Sequence, residues 1–186
     1  MKTKKLSMIW IVLVVCILLA CNANAKTKKP SADVLKNIYL QFISSNISSP
    51  NAYYMIDLNK DGIKECLVDA GEHYRSYKLF VLTYKKNKVI TILDTWNQYD
   101  VLFNKGKCQI CLGGVTGAAS YGYEVYTIKS ISAVKTAEYR KKENWRDYSM
   151  HYYKGKKEIS EKSFRSFEKK LKKWKNIDPM KNGEKY

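Results

Sequence analysis

The 186-residue chain carries 34 Lys+Arg against 17 Asp+Glu, a net charge of +17, with 45% hydrophobic residues. So basic a chain is drawn to polyanions such as wall polymers, anionic lipid heads or nucleic acid. Its cations are mostly lysine, however. Arginine, which reads base edges and phosphates with its planar fork, occurs only at Arg75, Arg140, Arg146 and Arg165, so specific nucleic-acid recognition is not expected.

The amino terminus reads as a leader. Lys2, Lys4 and Lys5 precede an uncharged apolar run over residues 9–20, the charge-then-apolar order of a secretory signal. The run falls short of the about 20 residues that a membrane span needs. Two processing sites overlap at its end: Ala23-Asn24-Ala25 has the small-x-small form cut by a general signal peptidase, and Leu18-Leu19-Ala20-Cys21 resembles a bacterial lipobox whose Cys21 becomes lipidated. Both routes stay open. Either predicts an exported protein, extracellular or attached to the cell envelope, that meets the membrane only through Cys21 if lipid is added there. With residues 1–25 as a signal peptide, residues 26–175 are a single domain and 176–186 a loose tail. The mature chain then holds 31 Lys+Arg against 17 Asp+Glu, or +14, because three lysines leave with the leader.

A helix is predicted from Ala32 to Ser45, capped by Ser31, with Leu35, Ile38, Tyr39, Phe42 and Ile43 on one apolar stripe. A Ser- and Asn-rich loop, residues 44–51, follows. From there the pattern is of strands, rich in β-branched and aromatic residues: Tyr53–Asp57, Ile63–Ala70, Tyr77–Tyr84, Val89–Trp96, Lys107–Leu112, Tyr121–Ile128, Ser132–Arg140 and Trp145–Tyr153. Hairpins are expected at Lys85–Lys88, at Asn104-Lys105-Gly106 and near Lys141–Asn144. Such short links leave no room for crossover helices, so the strands run antiparallel. Nearly continuous apolar runs at 79–82 and 89–93 call for cover on both faces. Ser160-Glu161 opens a second helix with Phe164, Phe167, Leu171 and Trp174 on its apolar side and lysines elsewhere, expected to dock on the sheet. The fold class is therefore α+β: an antiparallel multi-stranded sheet, a meander, flanked by an N-terminal and a C-terminal helix.

Three cysteines belong to the domain, Cys66, Cys108 and Cys111, an odd set that rules out a disulfide scaffold but leaves one bridge from Cys66 open. The Cys108–Cys111 spacing falls in an expected strand, where residues three apart face opposite ways, so buried packing is expected rather than redox or zinc chemistry. The small-residue segment 113–120 is expected as a link between strands that lets a ligand or partner approach the backbone closely. It lacks the lysine and the following helix of a phosphate cradle.

The one specific chemical pattern is Asp57-Leu58-Asn59-Lys60-Asp61-Gly62-Ile63-Lys64-Glu65. Alternation turns Asp57, Asn59 and Asp61 inward together, Gly62 permits the tight turn that brings in the Ile63 carbonyl, and Glu65 closes the set directly or through water. Hard oxygens in that number suit Ca²⁺, as a structural cofactor. Position twelve of an EF-hand loop would be Glu and here is Val68, with strands rather than helices on either side. The pattern resembles instead the strand-loop-strand calcium loop of FG-GAP and VCBS-type repeats, D-x-[DN]-x-D-G-x-x-[DE] before an apolar strand. Residues 54–68 are also similar to the single such loop near the start of many secreted or lipid-anchored proteins of Gram-positive bacteria. Those proteins tend to finish as this chain does at 152–161, with a Tyr-rich strand, a Gly turn and a Ser-Glu-opened helix. One copy of the loop does not imply a propeller.

His73, in a turn, and His151, in a strand among tyrosines, lie in no nucleophile or zinc motif, and no catalytic residue is assigned. The expected role is a monomeric binding or interaction module of the cell envelope. Its 15 tyrosines, Tyr121 and Tyr123 on one face among them, would serve an anionic wall polymer, a polysaccharide or an envelope protein. The alternative is a secreted hydrolase, or an enzyme inhibitor that uses the Gly-rich segment.

Overall fold

A computed structural model describes residues 29–71, 78–96, 100–117 and 119–186. The leader with its two processing sites and Cys21 lies outside these residues, as does the turn holding His73. Ser31–Tyr186 forms one unit by itself. Its elements are α1 (Ala32–Asn46), β1 (Pro50–Ile56), β2 (Glu65–Ala70), β3 (Lys78–Lys85), β4 (Lys88–Trp96), β5 (Asp100–Asn104), β6 (Gln109–Gly117) and β7 (Ser120–Ile128). There follow β8 (Ala133–Glu143), β9 (Met150–Lys154), β10 (Lys157–Ile159), α2 (Glu161–Leu171), β11 (Lys175–Asn176), α3 (Pro179–Asn182) and β12 (Glu184–Lys185).

The class is α+β with antiparallel pairing throughout, as the short links required. The strands divide into two sheets rather than one. The first has the order β12-β1-β2-β3-β4 and the second β10-β9-β8-β7-β6-β5-β11. Period-two alternation assigns each side chain to a layer. Leu67, Leu79, Val81, Val101, Phe103, Ile110 and Leu112 meet between the sheets. Cys66, Val68 and Leu82 turn the other way, onto Leu35, Tyr39 and Ile43 of α1. Cys111 and Val125 turn outward from the second sheet, onto Leu171 with Phe167 and Trp174 packed alongside. The layers are thus helix, sheet, sheet, helix, and each apolar run is covered by a helix on one face and by the other sheet on the opposite face.

Local chemistry explains most boundaries. Ser31 caps α1 by accepting from the Val34 amide, and Ser160 caps α2 by accepting from the Ser163 amide, each satisfying a first-turn donor. The β3–β4 hairpin closes through Lys86 and Asn87, both with positive φ (51° and 60°), the handedness that matches strand twist. The third hairpin closes later than the sequence suggests, at 144–149, where Glu143 faces Met150.

Two further expectations are corrected. The segment 113–117 is strand, not a link: β6 runs on to Gly117, with Gly113 opposite Tyr123 and Val115 opposite Tyr121. A Cβ on Gly113 would come within 2.9 Å of the Tyr123 ring. The small residues are there to seat a tyrosine, and their composition mimics a loop. Residues 176–186 are not a loose tail either. β11 pairs with β5, Ile177 is fully buried in the inter-sheet core, and β12 pairs with β1. The chain's end therefore passes from an edge of the second sheet to an edge of the first. It carries too little apolar sequence to announce this.

Candidate functional site

The residues Asp57, Asn59, Asp61, Ile63 and Glu65 all lie on the connection from β1 to β2 or at its end. Leu58 anchors this loop from below, fully buried among the inter-sheet residues. The flanking polar side chains then fold back on the loop's own backbone. Asp57 accepts from the amides of Lys60 (2.7 Å) and Gly62 (3.0 Å). Asn59 Oδ1 accepts from the Asp61 amide, and Asp61 Oδ1 from the Ile63 amide, both at 2.9 Å. Gly62, at φ 80°, supplies the left-handed turn that this winding needs.

Glu65 is the centre of the arrangement. Its carboxylate is fully buried and accepts three hydrogen bonds: from the Leu58 amide (2.8 Å), Asn59 Nδ2 (3.1 Å) and Thr83 Oγ1 (3.1 Å). Burial nevertheless pushes its pKa up to about 7, and the negative charges of Asp61 and Asp57 add to the rise against the opposing pull of the donors. Tyr39 ties α1 to the same place by donating to the Lys64 carbonyl at 2.9 Å.

In donor chemistry the loop suits a hard cation: two aspartates and an amide oxygen on one winding, with a buried glutamate that feels both aspartates. Among the described residues no three His, Cys, Asp or Glu side chains gather as ligands of one ion. Coordination would accordingly draw on Asn59 and the Ile63 carbonyl beside the acids.

His151 is half-exposed and sits in a cluster that its sequence position did not signal. Its Nε2 lies 3.0 Å from Ser149 Oγ and its Nδ1 2.8 Å from Glu158 Oε1. The order serine, histidine, acid is that of an acyl-transfer triad. Here, however, Ser149 donates its hydroxyl proton to Asp147 at 2.7 Å, and this bond holds the Asp147 carboxyl below its ordinary range. With its ring nitrogens between Ser149 and Glu158, the imidazole makes the group a strap that joins the start of β9 to β10.

The cysteines are free. Neither bridge left open from Cys66, to Cys108 or to Cys111, is formed; Cys66 faces α1 and Cys111 faces α2, on the outer faces of different sheets. Burial pushes both thiols up to about 12, which makes them poor nucleophiles. Tyr121 and Tyr123 do share a face, with ring centroids 5.2 Å apart, but Tyr123 also packs on Phe164 and Phe167 of α2. Among the described residues no helix is long and apolar enough to cross a membrane. No protein-family model matches the chain, and no curated protein and no solved structure matches it.

Proposed function

We propose that the protein is an exported binding or interaction module of the cell envelope or extracellular space, steadied by one structural calcium ion on the β1–β2 loop. Asp57, Asn59, Asp61, the Ile63 carbonyl and Glu65 would hold the ion. The reading of export rests on the charge-then-apolar order of the first 25 residues, and the calcium reading on the loop's resemblance to FG-GAP and VCBS-type loops. The observation that supports the metal is the single winding that brings the Asp57, Asn59 and Asp61 oxygens together around Gly62, with the buried Glu65 carboxylate at its end feeling the charge of both aspartates. A divalent cation would offset both the burial and the mutual repulsion.

Extracellular calcium is millimolar, so a weak site of ~10⁻⁴ M would fill. At ~1 mM ion such a site contributes about 1.4 kcal/mol, or about 3–6 °C in melting midpoint for a domain of this size. The test is calorimetric titration and thermal melting of the chain from residue 26, in calcium and in EDTA. A heat of binding and a midpoint that rises with calcium are expected. No heat and an unchanged midpoint would remove calcium from the account.

A further inference from the structure

Resting on the reading of a surface-binding module, we infer that the cleft between the end of α2 and the outer face of the second sheet binds an acidic polysaccharide. The cleft has a volume of about 560 Å³, inside the range of roughly 300–1,000 Å³ typical of ligand sites.

Its charge comes from separate elements. Lys170 and Lys173 enter from the end of α2, and Lys107 from the β5–β6 turn. Lysines at a helix C-terminus are explained by the helix dipole alone. Lys107 is not, since it reaches the same concavity from a turn of the second sheet, across the cleft from the helix. Among the described residues no carboxylate lines the cleft and none of the three lysines forms an ion pair. The concavity is complementary to an anion.

The other lining groups select among anions. Tyr139 is stacked on Phe167 at 3.7 Å and 10°, and the Lys154 ammonium lies over its ring at 5.7 Å, so its faces are occupied. Trp174 packs in part against Cys111, Val125 and Leu171 and, half-exposed in the cleft, has no aromatic or cation partner among the described residues. A single large ring suits the C–H face of one sugar, whereas a nucleic-acid strand calls for successive stacking platforms and commonly arginine. Among the described residues no arginine lines the cleft. Asn104, Gln109 and Thr136 complete the lining. Gln109 uses its amide nitrogen on Thr127 and Thr136 its hydroxyl proton on the Val125 carbonyl, which leaves acceptor oxygens for sugar hydroxyls. The ligand is thus a chain of hydroxyl-bearing rings with carboxylate or other anionic substituents.

The test is affinity electrophoresis and titration calorimetry of the chain from residue 26 at physiological salt, with polygalacturonate, neutral dextran and poly(dT) as probes. Retention by polygalacturonate and none by dextran is expected. Trp174→Ala, which leaves the charge unchanged, should weaken binding at least tenfold, and so should Lys107→Gln with Lys173→Gln. Lys169→Gln with Lys172→Gln alters the same helix outside the cleft and should change affinity less than threefold. Melting curves show that each variant is folded, and Lys107, on an exposed turn, provides a variant whose folding is not at stake.

Equal loss from the Lys169 and Lys172 pair would overturn the inference in favour of general charge attraction. Tighter binding of poly(dT) would overturn it in favour of nucleic acid. Binding that survives every cleft substitution would displace the site but leave the module reading intact, while binding to no polymer would tell against the module itself.

Discussion

A buried carboxylate is stable only when its oxygens are satisfied, and Glu65 has three donors yet still carries a raised pKa. The consequence for stability has a definite sign. Its ordinary value is 4.5 and its folded value about 7, so between these the folded chain holds a proton that the unfolded chain has lost. Stability therefore falls as pH rises from about 4.5 through 7, and the penalty, on the order of 3 kcal/mol, is complete above that. In EDTA, the midpoint of the wild-type chain is expected to drop between pH 5 and pH 8 by more than that of Glu65→Gln. Equal pH dependence of the two would show that Glu65 is not the titrating group. The same residue links this to the calcium proposal, because a bound cation would remove most of the drop at pH 8. That Asp57, Asn59 and Asp61 turn their oxygens onto one tight loop was legible from residue types alone. The extra donor, Thr83, was not, because it comes from β3, 18 residues further along the chain.

At the level of elements, α1 was legible almost to the residue, because its stripe and its Ser31 cap are local features. What the helix does for the loop was hidden. The Tyr39 hydroxyl is buried and reaches the Lys64 carbonyl, so Tyr39→Phe leaves that carbonyl short of a donor. A loss of about 1 kcal/mol is expected, measured by denaturant unfolding, together with weaker coupling of calcium to the midpoint. Unchanged stability would mean that α1 packs on the first sheet without fixing the loop. The extension of β6 through Gly113 was hidden for a different reason. Composition there signals a turn, and only the cross-strand partner Tyr123, held under α2, explains why small residues are needed in a strand.

The whole molecule is closed by its last residues. Ile177 fills the inter-sheet core, and Glu184 in β12 meets Lys36 of α1 at 2.7 Å and accepts from the Tyr53 hydroxyl. The exposed ion pair contributes little; the buried isoleucine and the two edge pairings matter more. Truncation after Lys175 is expected to cost at least the about 2–5 kcal/mol of an emptied core position. Thermal melting, with exposed-surface dye binding as a second readout, would register this, and an unchanged midpoint would show that the two sheets hold together without the closing segment.

The sequence by itself determined the α+β class, the antiparallel pairing, the two helix starts and the nine-residue oxygen-rich loop. These follow from spacing, capping and turn chemistry, all of which act over a few residues. Only the tertiary structure decided that the strands split into two stacked sheets, that the C-terminal residues bridge them, and that Lys107 and Trp174 face one cleft. A run of apolar residues reports that both faces are covered but not by what, and lysines distant in sequence become neighbours only when the sheets and helices pack.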